Sequence, residues 1–216
     1  MPRPSEYEYV VIEGNIGSGK TTLTNKLAEI WGSRIMLEEF KDNPFLPKFY
    51  KNPEQHSFAL ELSFLAERYH QKRDELNRTD LFKPGLVCDY SFAKSLVFAR
   101  INLDTDEFDL YQNLFHIIHD RLPKPDLLLF LYCSPEKSLS QIKKRGRLYE
   151  QEISLNYLDR INKGYMEFFK QQTGTRIVVL NTDNLDFVGS NKDFQKILSV
   201  IEAKHPVGLR IIETYA

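Results

Sequence analysis

Cysteine is nearly absent from this chain, with two, Cys88 and Cys133, in 216 residues. Both sit in apolar, strand-like runs and read as small buried hydrophobes. That excludes a disulfide framework and fits a reducing compartment. An excess of either charge is also missing. With 29 basic and 30 acidic residues the formal net charge is −1, so neither nucleic acid nor an anionic membrane is an expected partner. No apolar run is long enough to span a bilayer. The opening Met1-Pro2-Arg3-Pro4-Ser5-Glu6 lacks the apolar core of a signal peptide. Repeats, low-complexity segments and linkers are missing too. The expectation is a soluble cytoplasmic protein of one domain, residues 1–216, long enough to bury a sizeable core.

What is present begins with Gly14-Asn15-Ile16-Gly17-Ser18-Gly19-Lys20-Thr21, directly after the apolar run Tyr9 to Ile12. Gly, four residues, Gly, Lys and Ser/Thr between a strand and a helix form a phosphate-binding loop. The glycines let backbone N–H groups gather into a nest around phosphate oxygens. Lys20 brings a mobile positive charge to the outer phosphates, and Thr21 offers a hydroxyl to Mg²⁺. The following helix, about Lys20 to Trp31, points its positive end at the anion. A plain glycine turn would not need this context on both sides.

Five short apolar runs read as strands: Tyr7–Glu13, Arg34–Leu37, Leu86–Cys88, Leu127–Tyr132 and Arg176–Leu180. Near-continuous apolar character suits strands of a parallel sheet buried on both faces. Helical patterns fall at Ser57–Arg78, Asp106–Asp120, Leu155–Gln172 and Asp193–Ala203. Another helix starts at Ser134-Pro135-Glu136, with a hydroxyl N-cap and Pro at its first position, and stops near Gly146. The alternation predicts a three-layer α/β fold.

A phosphate loop serves kinases, GTPases, ATPases and transporters alike. Asn191-Lys192-Asp193 places its acid one residue too early for a guanine-specificity element, which disfavours a GTPase. Ligands bind beyond the carboxyl ends of parallel strands. Glu38 lies there after the second strand and Asp89 after the third. Either can receive a hydroxyl proton or hold Mg²⁺ through water; an exposed strand-end acid is the duller reading of Glu38. Lys143-Lys144-Arg145-Gly146-Arg147, followed by Glu150, has the character of an arginine-bearing lid, about residues 143–152, or of a solvated basic helix end. Glu61 and Arg68 interrupt the apolar stripe that carries Phe58 and Leu65. Seven residues of helix separate them by roughly 10 Å, so each needs its own partner, a polar ligand or a neighbouring ion.

On these residues the chain resembles the deoxynucleoside kinase family, specifically its bacterial deoxyguanosine and deoxyadenosine kinase members. The resemblance covers nearly the whole chain. It rests on the phosphate loop with Glu13, on Glu38 with Asp42-Asn43-Pro44-Phe45-Leu46, Phe49-Tyr50 and Ser57-Phe58-Ala59-Leu60-Glu61, and on Arg68. It continues through Asp89-Tyr90-Ser91, Lys144-Arg145-Gly146-Arg147 with Glu150, and Tyr157-Leu158. It implies a phosphate-loop kinase fold, a five-stranded parallel sheet flanked by helices under an arginine-bearing lid. ATP is the implied donor, held by Gly14, Asn15, Ile16, Gly17, Ser18, Gly19, Lys20, Thr21, Thr22, Arg145, Asp186 and Phe187. Mg²⁺ is the implied cofactor, with Thr21, Glu38 and Asp89 as its candidate set. Glu38, Asp89, Lys20, Arg145 and Arg147 are the implied catalytic residues. Glu38, Tyr50, Glu61, Arg68, Asp89 and Glu150 are the implied nucleoside contacts, with Tyr50 and Glu150 on the sugar 3′-hydroxyl. A homodimer packed helix to helix is implied as well.

Two departures from the family pattern stand out. Tyr90 occupies the usual Arg position of the acid-Arg-Ser motif, which removes a cation beside the acids. Glu61 stands where most members carry a base-reading Gln. A carboxylate only accepts hydrogen bonds. It matches the adjacent N1–H and N2–H₂ of guanine, while Arg68 is placed to donate to guanine O6 or N7. Deoxyguanosine is therefore the expected acceptor, with deoxyadenosine or a broader range as the alternative. A nucleoside monophosphate kinase is disfavoured because Asp42, Glu61 and Asp89 make the acceptor side acidic. A regulatory nucleotide-binding module without turnover is disfavoured by Lys20, Glu38, Asp89 and the lid arginines together. His116 and His119 lack a partner acid or Cys at metal spacing and are expected to pack or face solvent. Trp31 is expected in the core or at a helix end.

Overall fold

The computed structural model describes residues 7–39, 43–76, 85–119 and 122–214. Six parallel strands form one sheet in the order β2-β3-β1-β4-β5-β6. They are β1 Tyr9–Gly14, β2 Arg34–Met36, β3 Leu86–Cys88, β4 Leu127–Tyr132, β5 Arg176–Asn181 and β6 Gly208–Ile212. The expected number was five. The added strand, β6, pairs only with β5 at the sheet edge, and Ile211 is 54% exposed. An edge strand open to water on one side does not carry the continuous apolar signal of a central one.

Central strands feed both faces because side chains alternate along a strand. On β4, Leu127, Leu129 and Leu131 join one core, while Leu128 and Phe130 join the other. The first core is closed by α1 Lys20–Trp31 and α8 Asn191–Glu202, through Leu23, Leu27, Trp31, Phe194 and Ile197. The second is closed by α4 Lys94–Asn102 and α7 Leu155–Lys170, through Val97, Ile161, Tyr165 and Phe169. The remaining helices are α2 Leu46–Lys51, α3 Pro53–Leu76, α5 Thr105–His119 and α6 Pro135–Arg145. Helix α3 begins at Pro53 rather than Ser57, and Arg78, Asp120 and Asp42 lie outside the described residues. Helices α2 and α4 went unread in the sequence. The segment Leu96–Ile101 is apolar nearly all round apart from Arg100, so it shows no 3.6-residue stripe. Ser134 accepts from Lys137 N–H and Gly146 closes α6 with φ of 73°, as its sequence signals predicted.

The phosphate loop is fixed from below by a buried amide pair. Asn15 Nδ2 donates to Leu158 O at 2.7 Å and to Asn162 Oδ1 at 2.8 Å. Asn162 Nδ2 in turn donates to Cys133 O at 3.0 Å. One side chain on α7 thus ties the loop to the end of β4. Replacing Asn162 by Ala leaves buried polar groups unpaired, and each costs about 1–3 kcal/mol. We expect Asn162→Ala to lower the unfolding midpoint in urea and to weaken ATP binding together, checked by denaturation and calorimetric titration.

Candidate active site

The sequence folds Gly14–Gly19 into a tight nest because two of its glycines are irreplaceable. Gly17 has φ of 83° and a Cβ there would meet Ser138 O at 2.7 Å. Gly19 has φ of 87°, and its Cβ would strike the Phe187 ring at 2.7 Å. No side chain caps the start of α1. Its first N–H groups are therefore left for an anion. Lys20 Nζ bridges Gly14 O at 2.9 Å and Asn15 O at 2.8 Å. Burial lowers the Lys20 pKa to about 8; Lys94 pushes the same way, against Glu13, Glu38 and Asp89. Thr22 follows on the exposed side of α1. The side chain of Asn15 faces inward, where its Oδ1 also accepts from Ile16 N–H at 2.8 Å.

Past the carboxyl ends of β2 and β3, Glu38 and Asp89 converge. Asp89 Oδ1 accepts from Glu38 N–H at 2.7 Å, and Asp89 Oδ2 accepts from Thr21 Oγ1 at 2.6 Å. Arg68 Nε and Nη2 donate to Glu38 Oε1 at 2.9 and 2.7 Å. Lys94 Nζ donates to Glu38 Oε2 at 2.5 Å. Burial alone would raise the Glu38 pKa, but the charges and hydrogen bonds of Lys94 and Arg68 bring it down to about 2. Arg68 Nη1 reaches Ser95 Oγ at 2.8 Å. Arg68 therefore resolves its buried charge with an ion pair.

Glu61 lies elsewhere in the same cleft. Its Oε1 accepts from Asn102 Nδ2 at 2.7 Å, and its Oε2 is buried without a hydrogen-bond partner. Burial raises its pKa to about 7 against the pull of Arg68 and Asn102. The segment expected to form the lid, about residues 143–152, holds the end of α6 and, after Gly146, a short 3-10 turn, Leu148–Glu150. Glu150 takes Arg145 at 2.6 Å and Arg147 at 3.3 Å. One cleft of about 810 Å³, open mouth included, is lined by Lys20, Thr21, Glu38, Glu61, Arg68, Asp89, Lys94, Arg145, Arg147 and Glu150.

Eight predicted site residues stand outside that lining: Gly14, Asn15, Ser18, Gly19 and Thr22 of the phosphate loop, and Tyr50, Asp186 and Phe187. Tyr50 lines an adjoining cavity that shares Phe49, Asn102 and Tyr157 with the cleft, and its ring stacks on Tyr149 at 6.0 Å. Phe187 is buried against Gly19, and Asp186 is exposed, accepting from Gly189 N–H at 2.9 Å. The loop they share rests on α1 through Lys26, whose Nζ donates to Phe187 O at 2.8 Å.

Three contributors were missed. Glu13 is fully buried beneath the loop and accepts from Gly14 N–H at 3.0 Å and Ser91 N–H at 2.7 Å. Lys94 and Asn102 come from the two ends of the unread helix α4. A lysine opening an apolar helix is a signal, since lysines are seldom buried without a partner. Tyr90 lies in the core, with the Lys72 ammonium 4.3 Å over its ring, so the cation beside the acids comes from Lys94 instead. Among the described residues no group of three or more His, Cys, Asp or Glu forms a metal site. His116 is exposed and His119 stacks on Phe115 at 5.0 Å.

A family model described as deoxynucleoside kinase matches residues 10–205. The chain belongs to the deoxynucleoside kinase family. This kinase is 34% identical over 200 residues to a deoxyguanosine kinase of Bacillus subtilis, covering 90% of this chain and 96% of that one. It is 34% identical over 209 residues to a deoxyguanosine kinase of Lactobacillus johnsonii, covering 90% and 91%. It is 32% identical over 205 residues to a deoxyadenosine kinase of Dictyostelium discoideum, covering 93% and 80%. Its fold matches a deoxyadenosine kinase structure from M. mycoides with bound dATP at a TM-score of 0.77 and 24% identity, covering 90% of this chain and 100% of that one.

Removing the Lys94 charge takes one of two cations from Glu38. We expect Lys94→Met to lower kcat by about 100-fold, the scale of losing one preorganised electrostatic contact. Glu38 is then held down less, so the acid limb of the pH–rate profile moves to higher pH. Steady-state kinetics across pH checks both.

Proposed function

We propose that this kinase transfers the γ-phosphoryl group of ATP to the 5′-hydroxyl of a purine 2′-deoxyribonucleoside, deoxyguanosine preferred, in nucleotide salvage. The observation that carries this is one cleft with a phosphate loop at one end and a buried, half-partnered Glu61 lining the same space. The acidic cluster of Glu38 and Asp89 lines it too.

The nucleoside hydroxyl oxygen attacks the γ-phosphorus, the bond to the bridging oxygen breaks, and ADP leaves. Such transition states are loose and ask chiefly for positioning and charge stabilisation. Glu38, held ionised by Lys94 and Arg68, accepts the hydroxyl hydrogen bond and orients the attack. Because it is a weak base, the proton moves to the Glu38–Asp89 pair only as the new P–O bond makes the hydroxyl acidic. Backbone N–H groups of Gly17, Gly19, Lys20, Thr21 and Thr22 and the Lys20 ammonium bind the phosphates. Arg145 and Arg147 stabilise the transferring group and exclude water. Glu150, with Tyr50, holds the sugar 3′-hydroxyl; Asp186 and Phe187 flank the donor base.

The donor set suits Mg²⁺, because Thr21 Oγ1 and Asp89 Oδ2 form an oxygen pair beside the phosphate loop. When bound, the metal neutralises phosphate charge. Thr21 and Asp89 would hold it; Glu38 would contribute less, since cations already face both its oxygens.

We also infer a homodimer through α5, where Leu110, Leu114 and Ile117 are 54%, 38% and 61% exposed. Free, buried Cys88 and Cys133 support a reducing, cytoplasmic setting. No helix among the described residues is long and apolar enough to cross a membrane.

ADP release with Mg·ATP against a panel of deoxyribonucleosides and ribonucleosides tests the activity. We expect deoxyguanosine to lead. Turnover led by a pyrimidine would discard the purine reading, and no turnover with any nucleoside would discard the kinase assignment to this acceptor. Light scattering tests the dimer, with Ile117→Asp expected to halve the mass in solution.

A further inference from the structure

Glu61 is 1% exposed, and its two carboxyl oxygens are not equivalent. Oε1 is fixed by the Asn102 N–H at 2.7 Å, while Oε2 has no hydrogen-bond partner. A buried acceptor without a donor is costly. Two things relieve that cost: an N–H from a ligand in the cleft, or a proton on Oε2 itself. Because Asn102 donates to Oε1, the proton belongs on Oε2. Ionised, the group presents acceptors only; protonated, it presents one donor at Oε2 beside one acceptor at Oε1.

These two faces match different bases. Guanine offers adjacent donors on its Watson–Crick edge and fits the carboxylate. Adenine offers an acceptor beside an amino donor and fits the carboxylic acid. We propose that Glu61 reads the acceptor base in both protonation states, with Asn102 as the residue that fixes which oxygen holds the proton, so that rising pH shifts selection from adenine toward guanine deoxynucleosides. This rests on the proposed kinase activity.

The surroundings poise the group between the two states. On its own helix Arg68 favours the carboxylate, but is engaged by Glu38. From α4, Lys94 also favours ionisation and is likewise committed to Glu38. The Glu38 charge opposes it. From α5, the Tyr111 hydroxyl donates to the Glu61 backbone carbonyl at 3.3 Å, leaving the carboxyl alone. From α7, Tyr157 lines the same wall, its hydroxyl kept neutral by burial. Across the cleft, the lid arginines are paired with Glu150. Desolvation is the largest influence and places the pKa at about 7, inside the working range.

The test is the ratio of kcat/KM for deoxyguanosine over deoxyadenosine in the wild-type enzyme from about pH 6 to about pH 8. Effects of pH on the phosphoryl-transfer groups cancel in this ratio. We expect it to rise about tenfold per pH unit, the slope of a single proton. In Glu61→Gln it should lie flat and favour adenine. In Asn102→Leu, with the donor to the carboxylate gone, the same slope should move to higher pH. A wild-type ratio that does not change with pH, with both substrates turned over, overturns this inference and leaves the kinase reading standing. No turnover of any deoxynucleoside overturns both.

A readout without substrate is thermal unfolding. The Glu61 carboxyl is raised above its ordinary 4.5, so the folded state binds the extra proton between about pH 4.5 and 7 and loses stability as pH rises through that window. Glu61→Gln removes that loss. Its Tm relative to wild type should therefore increase from acid to neutral pH, and a constant difference overturns the titration of Glu61.

Discussion

Glu38 is held between two cations from different helices, and the active-site half of the molecule is organised around that contact. Arg68 reaches it from α3 and Lys94 from α4, while its backbone N–H binds Asp89 at the end of β3. Breaking a buried ion pair on one side is strongly destabilising, because it leaves a charge without compensation. The carboxylate therefore fixes the relation of α3 and α4 to the sheet, and with it the position of everything those helices carry into the cleft. Glu61 and Asn102 are among the residues so placed.

The same arrangement separates two acids that look alike in the sequence. Glu38 and Glu61 both line one cleft, and both are desolvated. Glu38 faces two cations and stays ionised down to a pKa of about 2, whereas Glu61 faces one neutral amide and sits at about 7. Environments that push paired carboxyls apart assign them different work. In the proposed reaction one is a permanent charge beside the phosphoryl transfer and the other a hydrogen-bonding surface for a base. Burial is common to both, so the neighbours decide.

Tyr90 shows how a cation can be supplied from another place in the chain. Its ring fills the core under Lys72 and its hydroxyl donates to Gln71 Oε1 at 2.6 Å, far from any role as a charge in the cleft. Lys94 lies four residues further along the chain, on the first turn of α4, where it reaches Glu38 from above the strand end. A motif read position by position records the lost arginine but not the gained lysine.

Local chemistry wrote the phosphate loop, the helix start at Ser134-Pro135, the stop at Gly146 and four of the central strands into the sequence, because each depends on residues within a few positions of one another. Glu38, Asp89, Glu61, Arg68 and the lid arginines were legible as types of residue at strand ends or on a helical stripe. Their partners were not. The Arg68–Glu38 pair joins residues 30 apart, and Asn102 meets Glu61 across 41 residues. Helix α4, apolar on nearly every side, left no periodic mark, and the exposed edge strand β6 left no continuous one. The sequence alone determined a phosphate-loop α/β domain with acids beyond the ends of its second and third strands. Only the tertiary structure decided which charges are paired, which single oxygen of Glu61 is left open, and that Lys94 belongs to the site, because pairing across the sheet depends on distances that no local pattern encodes.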